Sequence, residues 1–146
     1  MEERRTQKAF TLVELMVVVV ILGLLVALVS VRVTKHVAKA RRETTKAQIY
    51  QLKGAIQAFH LDTAEWPEML EDLINEPTGE SGERWDGPYL QDTEIVPKDG
   101  WGMDFEYTVP GERGRDFEIV SYGEDKQPGG EGADADVLSW ITEESG

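Results

Sequence analysis

An almost unbroken apolar run occupies residues 10–31, between a short polar N-terminal segment and a more polar remainder. As a helix, this run would be about 33 Å long at about 1.5 Å per residue, enough to cross a hydrocarbon core of about 30 Å. Glu14 is its only ionisable residue. A carboxylate in such a run is costly unless another group satisfies it. The pattern predicts a membrane helix in which Glu14 has a specific partner, such as the α-amino group that removal of residues 1–9 would create on a neighbouring copy.

Two simpler interpretations of the run are an ordinary signal anchor, with its carboxylate near the interface, and a cleaved secretory signal. The apolar region of a secretory signal usually has about 7 to 15 residues. The run in this chain is longer and continues into a charged helical pattern. These features favour a helix that stays with the mature chain.

Beyond residue 31 the apolar residues keep a helical period. They recur mostly at steps of three and four, as expected for one stripe of an amphipathic helix. No proline precedes Pro67, and the residue before a proline avoids helical angles. We therefore predict an unbroken helix from the membrane to about Leu61, with its second half packed on a small domain. The stripe consists of Val33, Val37, Ala40, Ala47, Ile49, Leu52, Ile56 and Phe59.

The pattern after the long helix predicts a small antiparallel sheet. A short helix over residues 68–74 is followed by a loop over residues 75–100, which is rich in glycine and proline. Apolar and polar residues then alternate over residues 104–109 and 116–122, and the residues between them have turn chemistry, as in a β-hairpin. A third short strand is predicted over residues 137–141. The expected fold class is α+β, with a long N-terminal helix packed on this sheet.

Four segments organise the chain: a leader (1–9), the apolar helix (10–31), its amphipathic continuation (32–61) and a globular domain (62–146). Trp66, Trp101 and Trp140 adjoin apolar or turn segments. We predict that these tryptophans lie in the core or in subunit contacts, whereas Trp85 is expected to be less constrained.

Charge is distributed unevenly along the 146 residues, whose formal net charge is −13. Basic side chains strongly outnumber acidic ones over residues 32–53, and acidic side chains dominate from Gly54 onward. This acidity disfavours nucleic acid as a partner. The basic stretch could lie on a membrane surface, could be a solvated helix face, or could contact the acidic domain of another copy. The chain has no cysteine, so disulfides do not tie its loops.

The stretch between Tyr122 and Trp140 is the candidate site for metal chemistry. It is rich in glycine and carries several carboxylates, which suit the irregular oxygen coordination of calcium. Zinc is disfavoured because the stretch has neither cysteine nor histidine. A disordered acidic loop is the alternative. The carboxylates are Glu124, Asp125, Glu131, Asp134 and Asp136.

The N-terminus resembles the signal of the type IV pilin and pseudopilin superfamily. Basic residues precede Ala9, and the sequence Phe10-Thr11-Leu12-Val13-Glu14 follows. The resemblance implies that a prepilin peptidase cuts between Ala9 and Phe10 and methylates the new N-terminal Phe10. It also implies that Glu14 pairs with the methylated terminus of a neighbour. The family usually has glycine before the cut, and this chain has Ala9 there.

Four further segments, in the same order, resemble the major pseudopilins of type II secretion systems. They are residues 61–67, Asp99-Gly100-Trp101-Gly102, Ser121-Tyr122-Gly123, and Asp134-Ala135-Asp136-Val137 with Trp140. The resemblance implies a pilin-like fold with one calcium ion in the closing loop.

Carried onto this chain, the implied calcium ligands are the Asp125 carboxylate and the carbonyls of Tyr122 and Gln127. A carboxylate from Asp134, Asp136 or both completes the set. This chain is about three residues longer between Pro128 and Val137 than the family pattern, which leaves the choice between the two open.

The resemblance implies a structural, non-enzymatic subunit of a homopolymeric filament that drives folded proteins across the outer membrane. Its implied partners are further copies, minor pseudopilins, the inner-membrane assembly platform and prepilin peptidase. It would span the inner membrane once and place its C-terminal domain in the periplasm. One alternative is a type IV pilin of an adhesion or motility fibre, although many such pilins have a C-terminal disulfide loop. Another is a membrane-anchored hydrolase that uses two of the closing-loop carboxylates.

Overall fold

The computed structural model describes residues 10–91 and 93–141. Its described residues fall into two compact units, one ending at Val37 and the other beginning at Ala38. The helices and strands, in order, are α1 (Leu12–Thr63), a 3₁₀ helix (Leu70–Leu73), α2 (Glu80–Glu83), β1 (Glu106–Thr108), a second 3₁₀ helix (Glu112–Gly114), β2 (Glu118–Ser121) and β3 (Val137–Leu138). The predicted combination of one long helix and a small antiparallel sheet is confirmed.

The first unit contains the start of α1. The Thr11 hydroxyl accepts a hydrogen bond from the Glu14 N–H at 3.2 Å, which is the geometry of a helix N-cap. From Leu12 to Val26 the large apolar side chains are exposed all round the helix. Among the residues that the structure describes, no helix is both long enough and apolar enough to cross a membrane. The leader and the side chains of residues 27–31, the end of the predicted span, lie outside the described part.

In the second unit, one stripe of α1 forms the core together with the sheet. One row of buried residues follows alternating steps of four and three, and Ala55 beside it is buried as well. The row consists of Thr45, Ile49, Leu52, Ile56, Phe59 and Thr63. The apolar positions from Ile49 onward were predicted, but three other members of the predicted stripe, Val37, Ala40 and Ala47, are exposed. Thr45 is buried in place of Ala47. Thr45 and Thr63 fit the apolar face because each hydroxyl donates to the carbonyl four residues earlier, at 2.9 and 2.8 Å.

The sheet has the order β1-β2-β3, with both pairs antiparallel, so β1 and β3 form its opposite edges. The predicted hairpin of β1 and β2 and the predicted third strand are confirmed, although each strand is shorter than expected. Ile119 of β2 is buried against α1's apolar stripe. Glu118 is also buried. The burial of its carboxylate is tolerated because Oε1 accepts hydrogen bonds from Arg115 Nε at 2.7 Å and from the Glu112 N–H at 2.7 Å.

α1 ends at Thr63, two residues beyond the predicted end near Leu61. Ala64 has a left-handed φ of 62° and donates its N–H to the His60 carbonyl at 2.9 Å, which closes the last turn. Trp66 then stacks on His60 with ring centroids 3.8 Å apart and packs against the core, as predicted. The expectation for Trp85 was wrong. Its indole N–H donates to the Asp72 carbonyl at 2.9 Å, and its ring packs against the core.

Candidate functional site

The predicted assembly site consists of the cleavage position at Ala9 and Phe10 and of Glu14, and the structure describes part of it. Ala9 lies outside the described residues, and Phe10 is the first residue within them. Glu14 occupies the third position of α1 and is exposed in the single chain. An acidic side chain there interacts favourably with the helix dipole, by about 0.3–1 kcal/mol. Glu14 therefore has a modest role within its own helix, and its carboxylate is accessible to a neighbour.

The closing loop between β2 and β3 folds back on itself through backbone contacts. The Glu124 N–H donates to the Ala133 carbonyl at 3.1 Å. Gly123 and Gly130 have positive φ, and a Cβ on either would come within 2.7–2.9 Å of the backbone at residues 133–134. Glycine is therefore required where the two arms of the loop approach each other.

The predicted carboxylate ligands lie in this loop, but each has a different environment. Asp125 is exposed, and its Oδ1 accepts the Gln127 N–H at 3.1 Å. Asp136 is half-buried, and its Oδ2 accepts the Gly129 N–H at 3.0 Å. Within residues 10–91 and 93–141, no three carboxylate, imidazole or thiol side chains gather as a metal site. The structure thus places Asp125 and Asp136 at backbone turns of one loop and does not collect a carboxylate cluster.

One oxygen of this loop is distinctive. Among the described residues, Oδ1 of Asp136 is buried without a hydrogen-bond partner. A buried, unsatisfied polar atom is costly, so such an oxygen marks a position where a further ligand would be stabilising. Asp134, the competing carboxylate, is half-buried.

The Tyr122 hydroxyl is engaged with a carboxylate of β1. It donates to Glu106 Oε2. This hydrogen bond to Glu106, together with partial desolvation and the charges of Glu106 and Asp136, raises the pKa of Tyr122 to about 12. The phenol therefore stays neutral at physiological pH and is not an anionic ligand.

The basic face of α1 holds the closing loop and the residue that follows β3 within the same chain. Arg42 donates to the carbonyls of Ala135 at 2.9 Å and Asp136 at 3.3 Å, and Lys53 donates to the Ser139 carbonyl at 2.8 Å. Arg41 lies 3.9 Å from the Glu124 carboxylate. None of the three interpretations of the basic stretch included this intramolecular use. The combination of a basic helix and an acidic loop was the sequence feature that could have suggested it.

A second connection, centred on Asp99 and Gly100, joins the end of β2 to α1. Asp99 is buried: its Oδ2 accepts the Ser121 hydroxyl at 2.6 Å, and its Oδ1 accepts the N–H groups of Trp101 and Met103 at 2.9 and 2.8 Å. The Gly100 N–H donates to the Thr45 hydroxyl at 2.9 Å. These bonds fix the strand end from which the closing loop departs.

Gly100 shows how closely this connection approaches α1. A Cβ at Gly100 would lie 2.1 Å from the Arg41 carbonyl oxygen, which belongs to helix backbone and cannot move aside cheaply. Gly100→Ala is expected to lower the free energy of unfolding of the full chain by about 2–3 kcal/mol, the cost of overpacking. Urea denaturation measures this change.

Gly54→Ala is the matched control. Gly54 lies in α1, and a Cβ added there would have no other atom within 4 Å, so alanine is expected to stabilise the chain by about 0.5–1 kcal/mol. Equal, small effects at the two positions would contradict the close approach of Gly100 to Arg41.

Comparisons with known proteins identify what the chain is similar to. A family model described as type II secretion system (T2SS), protein G matches residues 32–140, and a prokaryotic N-terminal methylation motif matches residues 4–30. The type II secretion system core protein G of Xanthomonas campestris is 39% identical over 134 residues, covering 92% of this chain and 90% of that protein. The protein of the same name from Vibrio cholerae is 36% identical over 144 residues, covering 96% of each chain.

A solved structure agrees with these sequence matches. The crystal structure of the major pseudopilin from the type 2 secretion system of enterohaemorrhagic Escherichia coli matches with a TM-score of 0.50 and 29% identity. The match covers 70% of this chain and 88% of that one. The pilin-like character predicted for the fold is therefore confirmed.

Proposed function

Because this chain belongs to the type II secretion system protein G family, we propose that it is a non-enzymatic structural subunit of the secretion pseudopilus. The family match over residues 32–140, which includes most of the second compact unit, carries the proposal. In this role the chain polymerises through its N-terminal helix, and the growing filament drives folded proteins across the outer membrane.

The exposed apolar surface of the first unit supports polymerisation through α1. A helix that is apolar on every side is normally covered by lipid or by other helices. Large side chains from Leu12 to Val26 are exposed in the single chain, and Gly23 has open space around it. We propose that lipid of the inner membrane covers this surface before assembly and that neighbouring α1 helices cover it in the filament. The second unit then lies in the periplasm.

The N-terminal methylation motif supports a specific first step. We propose that prepilin peptidase cuts between Ala9 and Phe10 and that the new terminus of Phe10 is methylated. The resulting α-amino group is positively charged near neutral pH. It can then pair with the exposed Glu14 carboxylate of a neighbouring copy and set the stagger between adjacent helices.

The closing loop suits a calcium ion. Calcium accepts carboxylate and carbonyl oxygens in irregular geometry, and Asp136 already presents one buried, unpartnered oxygen. We propose that Asp136 holds the ion with Asp125 and with the carbonyls of Tyr122 and Gln127, and that Asp134 is the second candidate in the same arm. The ion would supply positive charge that ties the two arms of the loop. The protein would supply the backbone contacts that bring those arms together.

Removal of the gene from its host bacterium tests the secretory role. We expect the export of folded proteins by the type II system to fall to background and to return when the natural chain is supplied. Adhesion and motility by surface fibres should be unchanged. If secretion persists and surface fibres disappear, the type IV pilin alternative is correct instead.

A further inference from the structure

Two grooves of opposite charge lie at the two edges of the sheet. The first, which we call the basic groove, has a volume of about 380 Å³ and lies between α1 and β3. Its wall includes Lys46, Tyr50 and Lys53. The second, the acidic groove, has a volume of about 240 Å³ and lies beside β1. Because β1 and β3 are the outer strands of the order β1-β2-β3, these grooves belong to different edges of the same molecule.

The basic groove presents an aromatic side chain between two cations. Tyr50 is 81% exposed although it is a large hydrophobic residue. Lys46 and Lys53 lie four residues before it and three residues after it, which places all three on one face of α1. The Lys53 ammonium donates to the Ser139 carbonyl, and an ammonium has three donors, so it can bind an acidic partner as well. One acidic residue, Asp136, also lines this groove.

The acidic groove presents a methionine between two carboxylates. Met69 is 52% exposed, and its flanking residues Glu68 and Glu71 are exposed as well. All three belong to the groove wall. Asp104 is a further acidic member, and it is paired with Lys98 at 3.1 Å. The positions of Glu68 and Met69 are fixed, because both N–H groups donate to Asp72 Oδ2, at 2.9 and 3.0 Å.

We propose that the Met69 edge of one copy docks in the basic groove of the next copy. Met69 then contacts the ring of Tyr50, since thioethers pack favourably against aromatic rings. Glu68 and Glu71 face Lys46 and Lys53 across the contact, which gives complementary charge. The inference rests on the proposed filament role, and it specifies the contact between outer domains that accompanies packing of the N-terminal helices.

The arrangement of the two surfaces determines what kind of assembly results. The surfaces differ and lie at opposite edges, so the contact is heterologous and leaves one free surface of each kind after every addition. Such a contact builds an open polymer when the rotation between copies does not close a ring, whereas a self-complementary surface would close a dimer. The same charges also explain why the basic stretch has two uses: Arg41 and Arg42 contact the closing loop of their own chain. Lys46 and Lys53 contact the Glu43 carboxylate and the Ser139 carbonyl of their own chain, and their remaining donors face the neighbour.

Disulfide cross-linking tests this contact directly, because the natural chain has no cysteine. In membranes of cells that assemble the full chain, Tyr50→Cys together with Met69→Cys should give a ladder of dimers, trimers and longer species under oxidation. The matched controls are Tyr50→Cys alone and Met69→Cys alone, which can give no species longer than a dimer. Cross-links to another protein in place of a ladder would overturn the proposal in favour of a different occupant.

Charge reversal with rescue gives an independent readout. In the double-cysteine chain, Lys46→Glu is expected to lower the yield of long species by at least about tenfold, since like charges then oppose each other across the contact. Adding Glu71→Lys should restore most of the yield. Failure of the rescue, or a yield unaffected by Lys46→Glu, would overturn the pairing.

The cross-linking test of the edge contact can fail independently of the proposed filament role. If secretion depends on the natural chain and filaments form, but the double-cysteine chain gives no ladder, the edge contact is wrong and the filament role stands. If gene removal leaves secretion intact, the filament role itself is wrong.

Discussion

Filament assembly is expected to fall below detection when Glu14 is replaced by alanine. In the assembled state Glu14 would lie among apolar helices, where its charge is stable only beside the methylated α-amino group of a neighbour. Removing one member of such a buried pair costs about 2–5 kcal/mol, because the other charge is left unpaired. A loss of that size at every subunit contact is enough to stop growth. Electron microscopy of sheared filaments and secretion of a reporter protein both measure it.

The position of Glu14 in α1 permits a sharper variant. Thr11 caps the helix, and Glu14 is the third helical residue, the position at which glutamate or glutamine commonly completes a capping box. Glu14→Gln therefore keeps a residue suited to the cap and removes only the charge. If charge pairing drives assembly, the glutamine variant should fail as alanine does. Normal filaments from the glutamine variant would show that assembly does not depend on the charge of Glu14.

Calcium is expected to raise the melting temperature of the full chain in detergent by about 8–12 °C relative to a chelator. A ligand at about 100 times its dissociation constant adds about 2.7 kcal/mol to the folded state. For a domain of about 100 residues, each kcal/mol corresponds to about 4 °C. Asp125→Asn and Asp136→Asn should each remove most of this shift. Circular dichroism at increasing temperature, with calcium and with chelator, measures the result.

The loop also offers the controls for this experiment. Glu131→Gln changes an exposed carboxylate of the same loop and should leave the calcium shift intact. Asp134→Asn decides whether that residue shares the site with Asp136. In chelator, Asp136→Asn should change the melting temperature little, because the amide oxygen can still accept the Gly129 N–H. A natural chain that melts at the same temperature with and without calcium would contradict the metal site, as would an equal shift in all variants.

Much of the fold could be predicted from local sequence pattern. The steps of three and four along α1 predicted its buried stripe from Ile49 to Phe59, and the alternation before and after a turn predicted the hairpin. The predicted strand ends were less accurate, because a strand extends only as far as its residues pair with a neighbouring strand. β3 is therefore limited to Val137–Leu138, opposite Ser121 and Val120.

The candidate site was predicted less completely than the fold. The glycine-rich, acidic composition marked the loop and its five carboxylates as a candidate site, and the family resemblance selected Asp125 together with Asp134, Asp136 or both. The sequence did not distinguish Asp134 from Asp136. The structure shows one difference between them among the described residues: an oxygen of Asp136 is buried without a hydrogen-bond partner. The sequence analysis named Asp99 as part of a family-like segment but missed its burial, which is satisfied by three hydrogen bonds to the carboxylate from residues between two and 22 positions away.

The sequence by itself determined the length and continuity of the helix, the isolated carboxylate at Glu14, the hairpin and the family to which the chain belongs. These features depend on the spacing of residue types along the chain, and helices and strands impose that spacing locally. Only the tertiary structure decided that Arg42 binds carbonyls 93 and 94 residues away, and that Gly100 lies against α1. It also placed the basic and acidic grooves at opposite edges of the sheet. Such contacts depend on strand order and loop conformation, which arise from the packing of the whole domain and leave no period in the sequence.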